Sequence, residues 1–73
     1  MSWSSEANEQ MAGIQAGLGL NSGEMSTLIS QMSIWAKANA NGTHRLRPGG
    51  RFRNAVVEFK VRNHEIFDVQ MDG

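Results

Sequence analysis

The spacing of apolar residues along this chain changes once, at Gly42, from a helical repeat to a strand repeat. Before Gly42 the apolar residues recur every three or four positions, which is typical of helices with one buried face. After it, apolar and polar residues alternate, which is typical of strands with one buried face. The sequence therefore predicts an α+β fold in which two helices precede a sheet. We expect residues 1–73 to form a single small domain.

The segment 22–40 is predicted to be an amphipathic helix. One apolar stripe follows the helical spacing: Met25, Leu28, Ile29, Met32, Trp35 and Ala36. Asn21 can cap the first turn with Glu24 three positions later, as in a capping box, and Asn41-Gly42 can end the helix. We expect the two methionines and the tryptophan of the stripe to pack in the core. The alternative is that the methionine-rich stripe is an adaptable contact surface for a partner.

Residues 5–20 are predicted to form a first, weaker helix. Its internal glycines each cost about 1 kcal/mol of helix stability. Gly13 and Gly17, each preceded by an alanine, form a seam of small residues at four-residue spacing. Because such a seam lets another helix approach closely, we expect these glycines to make a helix–helix contact, within the chain or between copies. The alternative is a frayed helix without that contact.

Three antiparallel strands are predicted to follow as a meander, at about residues 43–47, 51–61 and 65–71. Pro48-Gly49 suits the centre of a type II turn, because proline presets φ and glycine accepts a positive φ. This turn would place Leu46 opposite Phe52 in a tight hairpin. The parity of the apolar residues changes after Phe52, which predicts a bulge near residues 54–55.

The last two strands must be joined so that one face of the sheet stays apolar. Their apolar residues at odd positions are Val57, Phe59, Val61, Phe67, Val69 and Met71. A three-residue loop over 62–64 would pair Phe59 with Phe67 and keep these residues on one face, so it is the expected connection. A two-residue turn at Asn63-His64 would pair Val61 with Ile66 and mix the faces. A five-residue loop, or one long strand exchanged between copies, would also preserve the parity.

Four of the seven positive charges lie within nine residues around the predicted Pro-Gly turn, at Arg45, Arg47, Arg51 and Arg53. All four have odd numbers, so in a hairpin they would project from one face. The formal net charge of the chain is zero, and the acidic residues lie in the segments on either side. The arginines therefore either pair with the acidic residues that follow them or present charge to an anionic partner.

No motif indicates catalysis or a bound cofactor. The chain has no Gly-x-Ser-x-Gly element and no cysteine, and its Pro-Gly-Gly segment lacks the Lys-Ser/Thr of a phosphate-binding loop. His44 and His64 show no recognised metal-ligand spacing. We predict a protein that is not an enzyme and has no cofactor, no metal and no small-molecule substrate. Without a secretory signal or an apolar run near ~20 residues, it is expected to be cytoplasmic and soluble, with no membrane contact.

Two binding hypotheses remain. The preferred one is a small assembly or protein-interaction subunit, either a homo-oligomer or a protein that docks on a larger protein with an acidic surface. The short cysteine-free chain and its zero net charge favour association. Trp3 lies outside every periodic segment and could be an anchor in a partner's pocket.

The alternative is nucleic-acid binding, because arginine side chains suit phosphate groups. The contacts would come from the same four arginines, Arg45, Arg47, Arg51 and Arg53.

Overall fold

The computed structural model describes residues 2–48 and 54–72. Its elements in chain order are β1 (Ser2–Trp3), α1 (Ser5–Leu18), α2 (Ser22–Lys37), β2 (Gly42–Leu46), β3 (Val56–Arg62) and β4 (Glu65–Asp72). The sheet has the strand order β1-β4-β3-β2, with β2, β3 and β4 antiparallel and β1 parallel to β4. The predicted α+β class, with two helices before a three-stranded meander, is confirmed. The additional strand β1 makes the sheet four-stranded and mixed.

Helix α2 begins where the sequence predicts, because a complete capping box fixes its first turn. The side-chain oxygen of Asn21 accepts a hydrogen bond from the Glu24 amide at 2.8 Å, and the Glu24 carboxylate accepts one from the Asn21 amide at 3.0 Å. The helix ends at Lys37, earlier than the predicted residue 40. The left-handed residue that follows the helix is Asn39, at φ 52°. The sequence predicts this helix stop at residues 41–42.

Helix α1 is intact despite its glycines. The Ser4 hydroxyl caps its first turn by accepting from the Ala7 amide at 3.0 Å, and Gly19 ends it at φ 68°. Its buried side chains are Ala7, Met11 and Ile14. Gly13 and Gly17 are exposed, and a Cβ added at either would meet no atom within 4 Å. The prediction of a helix contact at this seam within the chain is therefore wrong, while a contact between copies stays a prediction.

The core lies between the two helices and one face of the sheet, which we call the inner face. Side chains of β3 and β4 supply its sheet side: Val57, Phe59, Val61, Ile66 and Val69. Helix α1 packs against β4, and α2 packs against β3 and β4. Met32 is fully buried in this core, and the half-buried Met25 packs against it.

The connection between β3 and β4 is a two-residue turn, so the predicted three-residue loop is wrong. Asn63 and His64 have φ values of 53° and 61°, as in a type I′ turn, and Val61 lies opposite Ile66. The faces do not mix, because the register shifts between Glu58 and Lys60 and the bulge places Asp68 at φ 57°.

The two-residue turn reverses the predicted facing of Ile66 and Phe67, and the bulge in β4 restores the predicted facing at Val69. Ile66 is fully buried on the inner face, and Phe67 lies half-buried on the opposite, outer face. Past the bulge, Val69 returns to the core. The bulge predicted near residues 54–55 is not there, since both residues precede β3.

The connection between β2 and β3 is longer than predicted. Leu46 lies opposite Val57 and not Phe52, so the chain between the paired strands runs from residue 47 to residue 55. That length excludes a two-residue turn at Pro48-Gly49 as the link between β2 and β3. Residues 49–53 fall outside the described part of the chain, and with them the predicted positions of Arg51 and Arg53.

Candidate functional site

The outward-facing part of α2 near its end carries two large apolar side chains, Ile34 and Trp35, which we call the α2 flank. Ile34 is 66% exposed and Trp35 is 40% exposed. The expectation that Trp35 packs in the core is therefore wrong. Successive helix positions differ by about 100°, so the core-facing Met32 and Ala36 leave Trp35 at the margin of the buried stripe and Ile34 outside it.

Trp35 joins the α2 flank to strand β2 through His44. The two rings stack with centroids 4.5 Å apart and an interplanar angle of 20°. His44 also contacts the buried ring of Phe59, at 5.6 Å between centroids, and a nitrogen of its ring hydrogen-bonds the Ala40 carbonyl. The imidazole therefore fills the space between the edge of the sheet and the tryptophan.

Strand β2 is the last strand of the sheet on this side. Among residues 2–48 and 54–72, β3 is its neighbour on one side and no strand pairs with the other, which we call the β2 edge. An edge of this kind presents backbone N–H and C=O groups that another strand can pair with. The α2 flank and the β2 edge thus adjoin, with the Trp35–His44 stack between them.

Hydrogen bonds hold the end of α2 in a fixed place relative to the sheet. His64 in the β3–β4 turn donates from Nδ1 to the Ala36 carbonyl at 2.9 Å, which satisfies a carbonyl of the last helical turn. The Asn39 side chain accepts from the His64 amide at 3.0 Å, and the Asn41 side chain accepts from the Asn63 amide at 3.1 Å. The flank is therefore presented by a well-anchored helix end.

The outer face of the sheet carries charges of both signs. Arg45 Nε lies 3.1 Å from Glu58 Oε1 on the neighbouring strand, and Lys60 Nζ lies 3.2 Å from Asp68 Oδ2. Since Arg45 and Glu58 are directly opposite in the ladder, this pair follows from the β2–β3 register. Arg47 is exposed just after β2. The described part of the outer face is thus a mixed surface, not an all-cationic one.

A shallow groove of about 230 Å³ lies at the end of this face, next to the β3–β4 turn. The residues that line this outer-face groove are Asn41, Gly42, Thr43, Lys60, Val61, Arg62 and Phe67. The Arg62 guanidinium lies over the Phe67 ring, 5.1 Å from its centroid. The groove is smaller than the ~300–1,000 Å³ of most small-molecule pockets.

The bulge residue Asp68 is tied to both its strand partner and helix α1. Its pKa is lowered, first because the Lys60 ammonium hydrogen-bonds the carboxylate and then because the Gln70 amide does so at 3.2 Å. Gln10 of α1 contributes to the same lowering, and its side-chain oxygen accepts from the Val69 amide beside the bulge. Lys60 of β3 and Gln10 of α1 therefore both hold the bulge in place.

We expect the stability of the protein to fall in acid partly through Asp68. Its folded-state pKa lies below the unfolded value of about 3.9, so the carboxylate stabilises the fold above that pH, and the contribution is lost as the pH falls through the folded pKa. Asp68→Asn keeps a side chain that tolerates the left-handed backbone. Urea midpoints should differ between wild type and variant near pH 7, and the difference should shrink as the pH falls through the folded-state pKa of Asp68.

The Lys60→Met background is the control, because it removes the largest cause of the lowered pKa. There, Asp68→Asn should change the midpoint less than it does in the wild type. An equal effect in both backgrounds, or one that persists unchanged in acid, would contradict this account.

The predicted anchor Trp3 has a structural place. It belongs to β1, lies opposite Ile66, and packs half-buried against the core. Sequence reasoning missed β1, Ile34 and the role of His44. The exposure of Ile34 could have been predicted, because it is a large apolar residue that does not fit the helical spacing of the buried stripe.

Neither helix has the length and apolar character to cross a membrane, as far as residues 2–48 and 54–72 show. Within the same ranges, no three His, Asp or Glu side chains come close enough together to hold a metal ion. Compared with protein-family models, with curated proteins and with solved structures, the chain gives no match.

Proposed function

We propose that this chain is a small assembly subunit that associates with a second copy of itself through the β2 edge and the α2 flank. The observation that carries the proposal is the adjacency of an unpaired strand edge and two large exposed apolar side chains, Ile34 and Trp35. Strand pairing would supply the hydrogen bonds, and the flank would supply the apolar burial.

A second copy suits this surface by symmetry. Two β2 strands related by a twofold axis pair antiparallel, and the two four-stranded sheets then form one continuous sheet of ordinary size. The same axis brings the two α2 flanks to one side of the junction. Each Trp35 would then be covered from its solvent side, which the single chain leaves open.

Charge does not oppose the association. The positive group that β2 carries on the outer face, Arg45, is offset by Glu58 at 3.1 Å. The formal net charge of the chain is zero, so the copies do not repel one another at long range. An interface built on backbone bonds and apolar contacts should persist at high salt, whereas one built on exposed ion pairs should weaken.

Light scattering at micromolar concentrations and two salt concentrations tests the proposal. The wild type should show twice the 8.0 kDa chain mass at both. Ile34→Asp should be a folded monomer, since it places a charge in the centre of the apolar contact. A wild type that stays monomeric up to several hundred micromolar would overturn the proposal.

Ala16→Asp is the matched control, because it adds the same charge to an exposed helix position beside Gly17. It should leave the mass doubled. If it dissociates the protein while Ile34→Asp does not, the contact between copies lies at the glycine seam instead. A monomer that binds single-stranded nucleic acid, with affinity falling steeply with salt, would favour the phosphate-binding alternative.

A further inference from the structure

The outer-face groove presents hydrogen-bond donors. In the ranges that the structure describes, no carboxylate lies within ion-pair distance of Arg62, whose guanidinium lies over the Phe67 ring. The guanidinium carries five N–H donors, and a contact with an aromatic ring leaves donors for an acceptor. The contact with Phe67 therefore keeps this cation at the groove that both residues line.

Asn41 adds a second donor beside this arginine. The ladder of β2 and β3 pairs Gly42 with Val61, so Asn41 and Arg62 occupy the next position along the two chains. The Asn41 side-chain oxygen accepts from the Asn63 amide at 3.1 Å, which leaves the NH₂ group as the donor of a residue that lines the groove. The Thr43 hydroxyl and the Lys60 ammonium line the same groove.

We propose that this groove binds an acidic side chain of a partner protein. The donors match a carboxylate, and the Phe67 ring gives the aliphatic part of that side chain an apolar surface to pack on. The small volume suits a single side chain. The site shares Gly42 and Thr43 with strand β2 but uses none of the residues of the α2 flank, and a carboxylate ligand goes beyond self-association.

A carboxylate fits the local charge better than a phosphate does. Lys60 is already neutralised by Asp68, so Arg62 is the cation that remains to balance a ligand. One guanidinium balances one negative charge, whereas a phosphate monoester carries about −1.5 to −2.

Amide chemical-shift titration with short blocked peptides tests this inference. The probe is acetyl-Val-Glu-Val-amide, and the same peptide with Gln in place of Glu is its neutral match. We expect saturable shifts at Gly42, Thr43 and Arg62 with the Glu peptide, and at least about tenfold weaker binding of the Gln peptide. No saturable shifts with the Glu peptide, or equal binding of the two peptides, would overturn the proposal.

Variants then identify the residues responsible. Arg62→Ala should weaken binding at least about tenfold, and Arg62→Lys several-fold, since lysine keeps the charge and loses the planar fork of donors. Arg45→Ala is the matched control, an arginine on the same face outside the groove, and should bind as the wild type does. Equal losses in Arg45→Ala and Arg62→Ala would indicate general charge attraction and overturn the site.

Two further arms separate other outcomes. Inorganic phosphate or a single-stranded oligonucleotide that displaces the peptide at equal concentration would make phosphate the ligand and overturn the proposal. Ile34→Asp should bind the peptide as the wild type does, because α2 packs on the other face of the sheet. Self-association is measured by mass and carboxylate binding by chemical shifts, so one proposal can be overturned while the other holds.

Discussion

Ile66→Ala should lower the free energy of unfolding by about 2–5 kcal/mol, whereas Phe67→Ala, at the neighbouring position, should cost about 1 kcal/mol. Ile66 is fully buried between the sheet and the helices, and its truncation leaves a cavity. Phe67 lies half-buried on the outer face, where water replaces the lost ring. Urea unfolding followed by circular dichroism measures both values.

The order of these two losses tests the register of the β3–β4 hairpin. A three-residue loop over 62–64 would put Phe67 inside and Ile66 outside, so the phenylalanine variant would then be the less stable one. The unfolding slope should be the same in both variants, which would show that the change lies in stability and not in the compactness of the unfolded chain. A larger loss for Phe67→Ala would contradict the two-residue turn and the bulge at Asp68.

Phe59→Ala should cost about 3–5 kcal/mol, among the largest losses of any single side chain in the core. The ring is fully buried at the centre of β3, and His44, on which Trp35 stacks, rests against it from the β2 side. A chain of 73 residues has a total stability of about 4–11 kcal/mol, so this loss is between about a quarter of the total and all of it.

The comparison with Phe67→Ala controls for the chemistry of the substitution, since both variants remove one phenyl ring. Near-ultraviolet circular dichroism should show the tryptophan environment changed in Phe59→Ala, because the His44 ring under Trp35 loses its support. A loss for Phe59→Ala no greater than that for Phe67→Ala would contradict the central position of Phe59.

Local signals predicted the helices well. In α2 the apolar spacing, the Asn21–Glu24 capping box and the cation in the last turn all favour one helix over the same residues. In α1 the glycines argued against a helix, but Ala7, Met11 and Ile14 bury enough apolar surface against β4 to override them. Packing against the sheet therefore outweighed the low helix propensity of the glycines.

The register of the sheet could not be predicted from local patterns. The alternation of apolar and polar residues allows either Ile66 or Phe67 to face inward. Which of them does so depends on the bulge at Asp68, whose backbone is left-handed. That conformation is held by Lys60 and by Gln10, which are distant in sequence. A two-residue strand such as β1 has no periodicity to detect.

The candidate site, the α2 flank beside the β2 edge, was not predicted from the sequence. The basic segment does place Arg45 on an exposed strand, but its pairing with Glu58 depends on a register that the sequence leaves open. The apolar α2 flank was missed because helical spacing alone does not set the width of the buried stripe. Trp35 fits the helical spacing of the buried stripe and still lies at the margin of that stripe, since no strand covers the β2 edge beside it in the described part of the chain.

The parallel pairing of β1 with β4 has a consequence for synthesis on the ribosome. Trp3 and helix α1 find their sheet partner only in β4, and the Gln10–Val69 hydrogen bond spans 59 positions. A nascent chain that ends before residue 65 therefore lacks the strand that pairs with β1 and packs against α1. We expect the sheet and the core to close only after β4, which lies between β1 and β3, has been made.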